Sequence, residues 1–258
     1  MDLIIYTAIF LTGIVFGSFF TLAVYRIPRK ENITYVRSHC TSCNHKLDFW
    51  DLIPVLSYIF LGGKCRYCGE KIRIRYLLLE VFSGLVFLLV AITHGITSII
   101  DLCFIYLFMA GMFIIAGIDK ENYTIPNSVC IYEFGIAVAY LIYNIIIEKS
   151  ILNNIIGALL IPIIFYIIDM LIYWLIKDKN KMPIGFGDLK YLALIGLMFG
   201  FPIQILSIVL SSIITLCGVL IHRHKEIPWG YYLTISTIVI LILSPYLQEL
   251  IDLIQIGS

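Results

Sequence analysis

Long uncharged runs dominate this chain, and its polar residues gather between them. Leu3–Val24 holds 22 consecutive uncharged residues. A helix needs about 20 apolar residues to span a bilayer, so this run predicts a first crossing. Tyr76–Ala91 with its flank, Leu102–Ile118, Ser128–Ile147, Ile151–Ile176 and Gly230–Gln248 predict five more. Tyr191–Ile221 is uncharged for 31 residues, too long for one straight helix, and Gly200-Phe201-Pro202 interrupts it. That run reads as one bent span or two short ones, giving seven or eight spans in total. Arg26–Arg75 breaks the pattern, being polar, basic and cysteine-bearing. The expected fold is an all-α polytopic membrane protein. Residues 1–25 form its first transmembrane helix, 26–75 a small cytoplasmic domain, and 76–258 the polytopic remainder.

Composition agrees with that pattern. The chain is 60% hydrophobic and 14% charged, with mean hydropathy +0.97, against about half apolar and a quarter charged in a soluble domain. Net charge is +1, so no field favours nucleic acid as a partner; the lipid bilayer is the expected one. The first run is too long for the core of a cleavable signal, and no A-x-A site follows it.

Charge placement predicts orientation. Ten of the eighteen Lys and Arg lie between Arg26 and Arg75, so that segment is expected inside. Counting crossings from there brings Asp119, at the end of the third run, to the cytoplasmic face. The same count brings Lys177–Asp188 there, in keeping with Lys177, Lys179 and Lys181. His222-Arg223-His224-Lys225 is inside only if Tyr191–Ile221 crosses twice, which favours eight spans.

Four of the seven cysteines form two C-x2-C pairs, Cys40/Cys43 and Cys65/Cys68, separated by 21 residues. Two tight turns offering two thiolates each suit tetrahedral zinc. Disulfides are disfavoured in a reducing cytoplasm, and a redox C-x-x-C has no need of a twin. Iron–sulfur has no other support in the sequence. A closed four-cysteine site stabilises a fold rather than performing chemistry. His39 and His45 read as loop histidines. Cys103, Cys130 and Cys217 read as packing residues.

Asp119 and Asp188 carry the candidate chemistry. Either alone reads equally well as a helix cap or a solvated loop residue. Together they border apolar runs on one side of the membrane, and each has a backbone break beside it. Ile125-Pro126-Asn127 follows the first; Gly185 and Gly187 precede the second and permit close backbone approach. Two carboxylates in one site cannot both ionise readily, which suits one as base and the other as acid. The chain has no G-x-S-x-G and no H-E-x-x-H. Glu80, Glu133 and Asp169 are further carboxylates inside apolar runs and also candidates for the pair, with polar contacts within the bundle the preferred reading.

These residues together resemble the type IV prepilin peptidases, the leader peptidase/N-methyltransferases of pilus, type II secretion and competence systems. The resemblance runs nearly the full length. It rests on Gly17-Ser18-Phe19 with Tyr25-Arg26-Ile27-Pro28, the cysteine quartet, Ile53–Tyr58, Gly63–Arg66, and Arg75-Tyr76 with Glu80. Asp119 with Ile125-Pro126-Asn127 and Gly185–Lys190 complete it, the last resembling G-x-G-D-x-K. It implies a bacterial inner-membrane aspartic endopeptidase with Asp119 and Asp188 catalytic. Gly185, Gly187, Lys190, Pro126 and Asn127 would support them, and Cys40, Cys43, Cys65 and Cys68 would hold structural zinc. The implied partners are prepilins and pseudopilins, cleaved after the Gly of a short basic leader. The second implied activity is methylation of the new N-terminus from S-adenosylmethionine. Thr21 and Leu77 depart from the family pattern, where Asn and Pro are usual, in the part associated with methyl transfer. The competing readings are a peptidase without methylation and a non-enzymatic zinc-stapled scaffold or transporter.

Overall fold

The computed structural model describes residues 2–33, 35, 37–96, 98–176, 185–222 and 227–256. Lys177, Lys179 and Lys181, and Arg223, His224 and Lys225, lie outside the described residues. Among those described there are nine α-helices and no strands, and the chain divides into two compact units, residues 1–97 and 98–258. Seven of the helices are long and apolar enough to cross a membrane, as the all-α polytopic reading requires.

The first unit is a helix pair carrying a cysteine-bearing excursion. α1 (Asp2–Arg26) packs along α3 (Arg75–His94), and the short α2 (Leu56–Phe60) lies in the chain between them. Lipid tails are as apolar as leucine, so the pair is held by close packing rather than by exclusion from water. Small residues supply it. A Cβ on Gly13 would lie 2.8 Å from Gly84 Cα, and one on Gly17 would lie 2.8 Å from Glu80 Cα. The Ser83 hydroxyl donates to the Gly13 carbonyl at 2.8 Å.

The second unit holds α4 (Ile99–Asn122), α5 (Asn127–Ile146), α6 (Leu152–Ile176), α7 (Phe186–Phe199), α8 (Phe201–His222) and α9 (Trp229–Ile256). α4 is its centre: 56% of its apolar window is buried, against 17% for α6 and for α8, which are left for lipid. Phe108, Met109, Met112 and Ile115 of α4, Tyr191, Leu192 and Ile195 of α7 and Leu233 of α9 are all buried, and Phe108 meets Phe199 of α7 edge to face at 5.3 Å. The run Tyr191–Ile221 is two helices, parted at Gly200 with φ +81. Gln204 Nε2 donates to the Leu192 carbonyl at 2.9 Å. In one continuous helix those residues would stand about 18 Å apart, so the chain doubles back at the glycine. α7, at 14 residues, is about 21 Å long, and falls short of the length that the other seven satisfy.

Candidate active site and metal centre

In the first unit the two cysteine turns are near copies of one another. Asn44 N–H returns to the Cys40 carbonyl and Gly69 N–H to the Cys65 carbonyl, each at 2.9 Å. Asn44 and Gly69, each directly after the second cysteine of its pair, take positive φ of 57° and 73°. Single bridges, His39 to Lys46 and Lys64 to Lys71, close the two turns. The four Sγ atoms all lie within 4.8 Å of one another, and Cys40 and Cys68 are 3.8 Å apart. Tetrahedral Zn–S bonds of about 2.3 Å put the sulfurs about 3.8 Å apart, so the quartet has the size of a metal cage and all four thiols are free of disulfides. The backbone amides of Cys43 and Ser42 push the Cys40 thiol down to about 6, which favours a thiolate there, while Cys68, against the Glu70 amide that lowers it, is pushed up to about 12 by burial and the neighbouring sulfurs. Around the cage the Tyr67 hydroxyl bridges Asp48 and Asp51 at 3.1 Å each, and Arg66 Nε pairs with Asp51 at 2.8 Å.

In the second unit the aspartates come from different helices. Asp119 is in the last turn of α4 and only 4% exposed. Tyr123, in left-handed conformation at φ 54, ends that helix and returns its N–H to the Asp119 carbonyl at 2.8 Å. The Asp119 carboxylate is seated on the start of α9, where Tyr231 N–H donates to Oδ2 at 3.0 Å and the Gly230 amide also donates. A helix N-terminus carries a partial positive charge, which suits an anion there. Asp188 stands in the first turn of α7, which begins at Phe186, and so is inside the helix rather than its N-cap. Its carboxylate accepts from the Gly185 amide, the returning half of a capping box. Asp119 and Asp188 stand near enough for the charge of one to be felt at the other.

The neighbouring motif residues join the two segments. Lys190 Nζ donates to Asn127 Oδ1 at 2.9 Å. A Cβ on Gly187 would be 3.2 Å from Ile125 Cβ, and one on Gly230 would be 3.0 Å from both Ile125 Cδ1 and Asp119 Oδ2. Ile125 therefore wedges between two glycines, and Pro126, with φ −74, turns the chain into α5. Gly230 and Tyr231 escaped the sequence reading. The signal was there in Pro228-Trp229-Gly230, a small residue opening the last apolar run.

The other carboxylates lie elsewhere. Glu80 belongs to the first unit and is held by Val55 N–H at 2.8 Å and by Ser18. Glu133 of α5 is fully buried against Gly111, with no hydrogen bond to either oxygen among the described residues. Asp169 is buried on α6.

Seven helices long and apolar enough to cross a membrane, with a cluster of four thiols in the first unit, define a multi-pass membrane protein with a candidate metal cage. Residues 11–94 match the bacterial peptidase A24 N-terminal domain, and residues 106–221 match the type IV leader peptidase family. The prepilin leader peptidase/N-methyltransferase of Vibrio cholerae serotype O1 is 30% identical, over 79% of this chain and 81% of its own length. Its counterpart from Pseudomonas putida is 27% identical over 87% of this chain and 85% of its own. That of Pseudomonas aeruginosa is 28% identical over 88% and 86%. This chain belongs to the prepilin leader peptidase/N-methyltransferase family, and so to a family of enzymes. No solved structure matches it.

Proposed function

We propose that this chain removes the short basic leader of type IV prepilins and pseudopilins, cutting after the leader's final Gly at the cytoplasmic boundary of the membrane, and then methylates the new N-terminal amine. The supporting observation is the meeting of Asp119, seated on the α9 N-terminus, with Asp188 at the start of α7. Its relatives bear the corresponding name, and the basic 26–75 segment supports an inward-facing site.

The chemistry needs no nucleophilic side chain. The ionised carboxylate of the pair takes a proton from water, whose oxygen attacks the scissile carbonyl; the protonated carboxylate donates to the carbonyl oxygen. The tetrahedral intermediate then breaks its C–N bond, and the amine leaves with a proton returned by the dyad. The pair titrates as a unit, so base and acid are roles of the pair. Lys190 and Asn127 clamp the two motif segments together, and Gly185, Gly187 and Pro126 let the backbones meet. Zinc held by Cys40, Cys43, Cys65 and Cys68 would staple residues 26–75. S-adenosylmethionine would supply the methyl group, and the chain has no G-x-G-x-x-G to hold it in the dinucleotide manner.

The test is cleavage of a cognate prepilin in membranes by wild type, Asp119→Asn and Asp188→Asn, with the product N-terminus weighed. Cleavage after Gly by wild type alone, plus the mass of one methyl, is the expected result. Cleavage without the methyl leaves a peptidase only, in keeping with Thr21 and Leu77. A wild type that never cleaves a cognate substrate turns the reading to a scaffold.

A further inference from the structure

Between its two cysteine turns the first unit presents an apolar edge to its surroundings. Phe49 and Trp50 are 74% and 69% exposed, with their rings edge to face at 5.9 Å. On α2, Leu56, Ile59 and Phe60 are also exposed, Phe60 to 82%. Their i, i+3, i+4 spacing puts all three on one face of the helix. Tyr58 turns the other way, its hydroxyl 2.9 Å from where a Cβ on Gly63 would stand. Of the acids beside the aromatic pair, Asp51 is turned inward, its side chain 3% exposed and bound by Arg66 and Tyr67, while Asp48 is bonded to Tyr67 but stays exposed. Five large apolar side chains thus face out together, within a segment that holds ten of the eighteen cations of the chain.

The height of this edge is set by one hydrogen bond. Val55, the residue before α2, takes φ +63, which is unusual for a β-branched side chain. Its N–H is held by Glu80 Oε2 at 2.8 Å. Glu80 lies five residues into α3, about 7.5 Å along its axis. The start of α2 is thus tied beside the first turns of a membrane-crossing helix.

We infer that the edge formed by Phe49, Trp50, Leu56, Ile59 and Phe60 lies in the interface of the bilayer that α1 and α3 cross, with these side chains among the lipid headgroups and upper acyl chains. Interfacial amphipathic segments bury their apolar face about 5–10 Å into that zone, and the Glu80 bond keeps the start of α2 beside the end of a helix that crosses it. Tryptophan and other aromatics favour the same zone, and the surrounding cations suit anionic headgroups. The segment is therefore a foot resting on the membrane rather than a free cytoplasmic domain.

Fluorescence of the full chain in phosphatidylethanolamine/phosphatidylglycerol vesicles tests this. With Trp174→Phe and Trp229→Phe, Trp50 is the sole reporter; the difference between wild type and Trp50→Phe isolates the same signal without altering the other two. Blue-shifted emission, lowered by about half with shallow brominated lipid and insensitive to aqueous iodide, is the expected result. Phe60→Trp in a Trp50→Phe background should behave alike. Quenching by iodide and not by brominated lipid would overturn the inference. So would protection from iodide that vanishes as protein is diluted in lipid, which marks a second copy as the occupant, or protection gained only when a prepilin is added. None of these readouts depends on cleavage.

Discussion

The two units bury glutamates in opposite ways. In the cysteine-bearing unit, Glu80 is satisfied by the Val55 amide and by Ser18, and the nearly buried Arg26 reaches the Asn32 and Ile33 carbonyls. Both tie irregular chain to a helix end. In the aspartate-bearing unit, Glu133 is more deeply buried than Glu80 and, among the described residues, has no hydrogen bond on either oxygen. A buried polar group without a partner is costly, whereas a partnered one holds its neighbours in place. The first unit thus uses its buried polar groups as fasteners. The second carries at least one that fastens nothing in this structure, a few residues along α5 from the site.

Several substitutions would break or sharpen that contrast. The largest effect is expected at the aspartates: Asp119→Asn and Asp188→Asn should each lower prepilin cleavage by roughly 10³-fold or more, with insertion and thermal unfolding unchanged. A parallel loss of folded protein would make them fasteners too. Next comes the cage. Cys65→Ser should release bound metal, seen by elemental analysis of the purified chain, and open residues 26–75 to protease while the second unit stays resistant. Glu80→Ala leaves the Val55 amide without its acceptor and should cost about 1–3 kcal/mol. Glu133→Gln keeps the side chain's shape and breaks no hydrogen bond among the described residues, so it should cost less than Glu80→Ala; denaturation of both in the same detergent is the direct comparison, and equal losses would erase the distinction between the units. Gly230→Ala pushes a methyl to 3.0 Å from Asp119 Oδ2 and should cut kcat about tenfold with KM little changed. Smallest is Lys190→Met, which removes one exposed bond to Asn127 worth about 1 kcal/mol, read as a cleavage rate lowered about fivefold.

Much of this was legible in the chain because the signals are local. Uninterrupted apolar length marks a span, Gly200-Phe201-Pro202 marked the turn between α7 and α8, and the two C-x2-C pairs marked a cage whose sulfurs do come together. What stayed hidden depends on neighbours distant in sequence. Nothing in Arg75–His94 reveals that Ser83 and Gly84 will pack on Gly13, so that α3 belongs with α1 rather than with the helices that follow. Nothing around Asp119 announces that its carboxylate will rest on an amide 112 residues later. The short α7 was masked by its own composition, since an uncharged run does not disclose where its first turn begins.

Asp119 resting on the start of α9 has a consequence for synthesis. Ribosomes deliver the chain from its N-terminus, so α4 enters the membrane long before Trp229 leaves the exit tunnel. Until then the Asp119 carboxylate lacks the amides that seat it, and the paired-acid site is incomplete. On the proposed reading, the peptidase is inert while it is being made and is armed by its last helix, which keeps a half-built enzyme from cutting helices that insert beside it.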